Sequence, residues 1–167
     1  MWNLLAARRE FCYEAPREGA DMDIENLIPH RGRMRLIGEV LTLDDDRALT
    51  SSIVSENWPL YRDGAVDTLM AVELVAQTAA LLEGWKQQQS GGRGGTTGWL
   101  VGIKEADFRI PCIPLSATLV TEAGRGYAME GYAVFEGRVR LGSETAATVI
   151  IQVFRPEEGD EPAGPEP

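Results

Sequence analysis

The sequence predicts an α+β fold: an antiparallel sheet wrapped around one long central helix. Two observations carry this. Asp67 to about Gln89 repeats apolar residues at helical spacing on several faces at once, with Leu74 and Leu81 on one, Val75 and Leu82 on a second, and Val72 and Ala79 on a third. A helix apolar on so many sides is buried rather than laid on a surface. From Trp99 onward the chain reads as strands separated by glycine, proline and serine, and a two-strand segment precedes the helix. One sheet curling around one helix is the simplest layer arrangement for that order.

The elements follow in turn. Ile24–Arg35 reads as a turn or short helix ending at Pro29 and leading into a basic run. Leu36–Leu43 and Arg47–Val54 form a hairpin about the turn Asp44–Asp45–Asp46. Ser55–Val66 is a loop, and Asp67 or Thr68 caps the helix by accepting from free amides of its first turn. The helix fades through Gly84, and Ser90–Gly98 is a glycine-rich connector. Its glycines lack the preceding strand and following Lys-Ser/Thr of a phosphate loop. Strands are expected over Trp99–Ile110, Ala117–Arg125, Tyr127–Leu141 and Thr145–Phe154, with a turn over Pro111–Ser116. Gly137 and Gly142–Ser143 mark bulges or turns.

The 167 residues suit one domain over 24–155, with an extension over 1–23 and a disordered acidic tail over 156–167. The net charge of −10 belongs to the ends. The tail holds Glu157, Glu158, Asp160, Glu161 and Glu166 with no base, and residues 1–25 are also acidic. That distribution argues against nucleic-acid binding. Cys12 and Cys112 have no metal or redox spacing and are read as free thiols. No apolar run approaches the roughly 20 residues of a membrane span, and the opening residues do not fit a secretory signal. A cytoplasmic location is expected.

Glu73 stands out, because a carboxylate in a buried helix is costly unless paired or used. Gln77 lies one turn later on the same line. Two readings stand side by side: a functional acid, or a satisfied polar pair bonded to backbone or a second subunit. Gln77 is read as orienting Glu73.

Three strings then resemble the hot-dog-fold 3-hydroxyacyl-[acyl-carrier-protein] dehydratases. Leu27-Ile28-Pro29-His30-Arg31 with Met34-Arg35-Leu36-Ile37 is similar to the family's opening motif and first strand. Glu73-Leu74-Val75-Ala76-Gln77 is similar to its helix motif, and Gly102–Arg109 through Pro111 and Pro114 to the strand after the helix. The resemblance implies a hot-dog fold, a homodimer or heterodimer, and a 3-hydroxyacyl thioester carried on the phosphopantetheine of an acyl carrier protein. It implies no metal or redox cofactor. It gives Glu73 a catalytic place and sets the backbone N–H near Thr68 against the thioester oxygen.

One departure bears on chemistry. The dehydratases carry a Gly-His-Phe-Pro loop before the helix, whereas this chain reads Asn57-Trp58-Pro59-Leu60-Tyr61-Arg62-Asp63-Gly64. The single histidine, His30, falls in the opening motif, where the family's histidine is not the catalytic one. The variant loop, with Asp67-Thr68 in place of Pro-Gly, is similar to a divergent subgroup that includes aryl-polyene-type dehydratase-like subunits. The resemblance thus points to a catalytically impaired, acyl-binding subunit working beside a His-containing hot-dog protein. An active dehydratase or thioesterase using Glu73, and a non-enzymatic acyl-binding module, are the alternatives. Asp67, Thr68, Gln77, Tyr61 and Phe108 are the expected substrate-binding residues, with Tyr61, Asp63 and Asp67 as stand-ins for the missing acid. Met70, Leu74, Trp99 and Phe108 read as core or acyl-tunnel residues. Arg31, Arg33 and Arg35 alternate as in a strand and, with Lys104 and Arg109, form a candidate docking patch for an acidic carrier protein.

Overall fold

The computed structural model describes residues 23–91 and 98–155. The extension before residue 23, most of the glycine-rich connector and the acidic tail lie outside the described residues. Two short 3-10 turns, Ile24–Asn26 and Gly32–Met34, lead into β1 (Glu39–Leu43) and β2 (Arg47–Ile53). Then come β3 (Tyr61–Arg62), β4 (Ala65–Asp67), α1 (Met70–Gln89) and β5 (Trp99–Phe108). Four further strands follow: β6 (Cys112–Pro114), β7 (Thr118–Met129), β8 (Tyr132–Leu141) and β9 (Glu144–Phe154). Six strands form an antiparallel sheet in the order β1-β2-β7-β8-β9-β5, and β3-β4-β6 form a small second sheet.

The hairpin β1–β2 turns where expected, and Asp44 Oδ1 accepts from the amides of Asp46 and Arg47. Ser55–Val66 and Pro111–Ser116 are not wholly loop, because β3, β4 and β6 pair there; strands of two or three residues leave no periodicity to read. Tyr127–Leu141 is not one strand: the chain reverses at Glu130–Gly131, both with positive φ, as a two-residue hairpin turn demands. Gly137 is neither bulge nor turn. It pairs in register with Ala123 and Val149, and a Cβ there would overlap the side chain of Val75, so this glycine lets the helix approach the sheet.

The helix lies on the concave face of the large sheet and is covered again on its other side. Leu27, Ile28, Leu36 and Ile37 are all buried in the same core as Leu74, Leu81, Phe135 and Ile151. The segment over 24–37 is thus a third layer, which explains why α1 is apolar nearly all round. Gly84 marks the tightest approach: a Cβ there would collide with the carbonyl of Leu27. Thr50 of β2 and Thr78 of α1, both fully buried, satisfy each other at 2.9 Å, and Thr78 Oγ1 donates to Leu74 O.

The helix start differs from expectation. α1 begins at Met70 after Leu69, without a side-chain cap. Asp67 Oδ1 accepts from the amide of Leu69, the residue just before the helix, and the Thr68 hydroxyl is buried without a hydrogen-bond partner among the described residues.

Candidate active site

The third layer determines the site. Because Leu27 and Ile28 pack into the core and Gly84 admits the backbone of Leu27, the following residues Pro29 and His30 are brought to the helix surface. His30 Nε2 lies 3.3 Å from Glu73 Oε1, and each side chain is 27% exposed. The single histidine is therefore beside the helical carboxylate of its own chain, although 43 residues separate them. The Nδ1 of His30 is turned away from solvent and has no partner among the described residues.

Gln77 fixes the carboxylate from the other side. Its Nε2 donates to Glu73 Oε1 at 2.7 Å and to Met34 O at 2.6 Å, while its Oε1 accepts from Leu36 N at 2.9 Å. One fully buried amide thus ties the segment over 34–36 to the helix and holds Glu73 in one orientation. The expected orienting role of Gln77 has a geometry.

Glu73 and His30 border a cavity of about 380 Å³ between the helix and the sheet. Its helix wall is Ala76, Ala79 and Ala80. Its sheet wall includes Ala128, Ala133, Val153 and Leu100, which face one another across β7, β8, β9 and β5. Small residues on both facing surfaces leave space that larger side chains would fill. Glu83 and Arg125, joined at 2.6 Å, also line it.

The other expected site residues are not gathered here. Tyr61 lines a separate groove with Trp58, Pro59, Arg33 and Arg35. Thr68 is buried and its amide donates to Pro111 O at 3.3 Å, while the Leu69 amide is taken by Asp67. Both amides are thus engaged within the chain. Asp67 and Asp63 lie in or beside the small sheet, and Phe108 ends the edge strand, 40% exposed.

The basic run is not a strand. Gly32–Met34 is a 3-10 turn, so Arg31, Arg33 and Arg35 do not alternate across a sheet. Arg31 turns onto the carbonyls of Glu25, Ile28 and His30, which holds the His30 segment in shape. Arg35 pairs with Glu25 at 3.5 Å, and Arg109 with Asp107 at 3.2 Å. Lys104 sits on β5, the sheet edge opposite β1.

Among the described residues no strand pairs with the outer side of β5. Register with β9 places Leu100, Ile103, Ala106 and Phe108 opposite Val153, Ile151, Val149 and Ala147, on the concave face. Strict alternation would put Ile103 on the face opposite Leu100, Ala106 and Phe108; two bulges, between Leu100 and Gly102 and between Ile103 and Glu105, re-phase the strand so that all four share one face. Leu100 and Ile103 remain 46% and 49% exposed.

One antiparallel sheet around a central helix, with a helical glutamate beside an acyl-sized cavity, defines a hot-dog protein of the dehydratase type. The chain belongs to the ApeP-like (ApeP dehydratase) family, whose model matches residues 22–163. It is 26% identical over 127 residues to the 3-hydroxyacyl-[acyl-carrier-protein] dehydratase FabZ of Streptococcus uberis, covering 70% of this chain and 88% of that protein. Its fold is similar to the dehydratase heterocomplex ApeI:P from Xenorhabdus doucetiae, with TM-score 0.75 and 20% identity over 82% of this chain and 93% of that one. It is also similar to a hypothetical thioesterase with coenzyme A from Streptococcus pneumoniae, with TM-score 0.55 and 12% identity over 71% and 84% of the two chains. Among the described residues, no helix is long and apolar enough to cross a membrane.

Proposed function

We propose that this protein dehydrates 3-hydroxyacyl thioesters in the cytoplasm, with Glu73 and His30 of one chain as the proton-transfer pair. The 3.3 Å contact between them at the edge of the cavity carries the reading. Dehydration removes a proton from C2 and returns one to the C3 hydroxyl, which leaves as water and yields the 2-enoyl thioester. A carboxylate and an imidazole in contact supply one group for each transfer and a short path for resetting the proton between turnovers. His30 thus stands in for the histidine that the loop before the helix lacks. Gln77 acts through Glu73, as a positioning residue. The chemistry needs no metal or redox cofactor, and the substrate would bring its own phosphopantetheine arm.

The exposed concave face of β5 supports a second reading of the assembly: another hot-dog chain, identical or homologous, covers it and closes the open side of the cavity beside Leu100. In that arrangement this chain acts as one subunit of a pair, and an acyl-holding role without turnover is the alternative outcome. Arg33 and Arg35, bordering the groove of Trp58–Tyr61, are the proposed contact for an acidic carrier protein. The deciding experiment follows enoyl-thioester formation from a 3-hydroxyacyl carrier protein, with this chain alone and with a co-purified hot-dog partner. Turnover lost in Glu73→Gln and in His30→Asn supports the pair. Turnover that depends only on the partner's residues supports the acyl-holding subunit.

A further inference from the structure

The cavity does not end as an acyl pocket for a plain alkyl chain would. Its helix wall runs from Glu73 through Ala76 and Ala80 to Glu83, steps of three and four residues that keep one stripe facing inward. Ten residues of helix separate the two carboxylates by about 15 Å along the axis. At the far end Arg125 Nη2 donates to Glu83 Oε2 at 2.6 Å, and Arg155 Nη1 stands 3.9 Å from the same oxygen. Glu83, Arg125 and Arg155 all line the cavity. The second oxygen of Glu83, Oε1, is shielded from solvent and has no hydrogen-bond partner among the described residues.

An alkyl terminus reaching this end would strip water from three charged groups and offer nothing in exchange, which is unfavourable. A terminus bearing a hydroxyl could accept from a guanidinium N–H and donate to the unused carboxylate oxygen after a small rotation of Glu83. We infer that Glu83, with Arg125, is a specificity determinant selecting acyl groups whose distal end carries a neutral hydrogen-bonding group such as a hydroxyl. The inference rests on the reading of this cavity as the acyl site.

The test compares two 3-hydroxyacyl-pantetheine thioesters of equal length, long enough to span about 15 Å, one ending in a methyl group and the other in a hydroxyl. Affinities for the full chain are measured by titration calorimetry. The hydroxyl-ended ligand is expected to bind about tenfold to a hundredfold more tightly, the range of a hydrogen bond to a charged group. Glu83→Leu is expected to abolish or reverse the preference. Equal affinity of the unaltered protein for both ligands overturns the specificity and leaves the acyl site standing. Binding of neither ligand overturns both. Because the decisive comparison uses the unaltered protein, a Glu83→Leu variant that fails to fold does not remove the test.

Discussion

His30 Nε2 and Glu73 Oε1 lie 3.3 Å apart although one belongs to the segment before β1 and the other to the central helix. The contact exists because the apolar pairs Leu27–Ile28 and Leu36–Ile37 sink into the core on either side of an arginine-braced turn. His30, between them, is carried onto the helix. The site is therefore only as firm as the docking of that segment.

Gln77 is the main tether. Replacing it with Leu removes three hydrogen bonds and leaves the buried Leu36 N and the part-buried Met34 O without their partner. A loss of about 2–4 kcal/mol is expected, since each stranded buried group costs about 1–3 kcal/mol. Urea denaturation would measure it. Turnover should fall even in conditions where the variant remains folded, because Glu73 loses its fixed orientation.

Gly84→Ala carries an unusual sign. An alanine in a helix interior ordinarily stabilises by about 1 kcal/mol relative to glycine. Here the added methyl would meet the backbone of Leu27 rather than a movable side chain. A net loss of up to about 2 kcal/mol is expected, since overpacking costs about 1–3 kcal/mol. The forced displacement of Leu27 should also lower dehydration by moving His30. Thermal melts and turnover assays on the same preparation would check both.

The hydroxyls of Thr50 and Thr78 bind the helix to the sheet at 2.9 Å. Thr78→Val alone is expected to cost about 1–2 kcal/mol, because the buried Thr50 hydroxyl loses its partner, and Thr50→Val less, because Thr78 Oγ1 still donates to Leu74 O. The double replacement should cost less than the two singles together, and a double-mutant cycle by chemical denaturation would reveal the coupling.

The face of β5 offers a prediction on assembly. Ile103→Lys places a charge at the centre of the stripe Leu100, Ile103, Ala106 and Phe108. Light scattering after gel filtration should show the assembly dissociated, with the stability of the separate chain changed by less than about 0.5 kcal/mol, as for other exposed positions.

Much of the fold was legible from the helical spacing of Leu74, Val75, Leu81 and Leu82 and from the glycine, proline and serine that separate the strands, because both patterns are local. Glu73 and Gln77 were legible for the same reason: polar groups on a buried helix need a partner. His30 was not, since its partnership spans 43 residues and its neighbours match a motif in which histidine has another place. A signal was nonetheless present. A helix apolar on every side needs cover beyond one sheet, and the apolar pairs flanking His30 are the cover available. The bulges of β5 were illegible because a re-phased strand shows neither the period of a strand nor that of a helix. Asp67, a good cap by type, does not cap α1 because it accepts from the amide of Leu69, the residue just before the helix.

The most direct test of the His30–Glu73 pair is a kinetic cycle of His30→Asn, Glu73→Gln and the double variant on a 3-hydroxyacyl carrier-protein substrate, each confirmed folded by circular dichroism. Positioned acid–base groups contribute about 10²- to 10⁴-fold, so each single replacement should lower kcat by that order. The double variant should be little worse than either single, because the two act as one unit. Unchanged turnover in His30→Asn, with loss confined to Glu73→Gln, would contradict the pair.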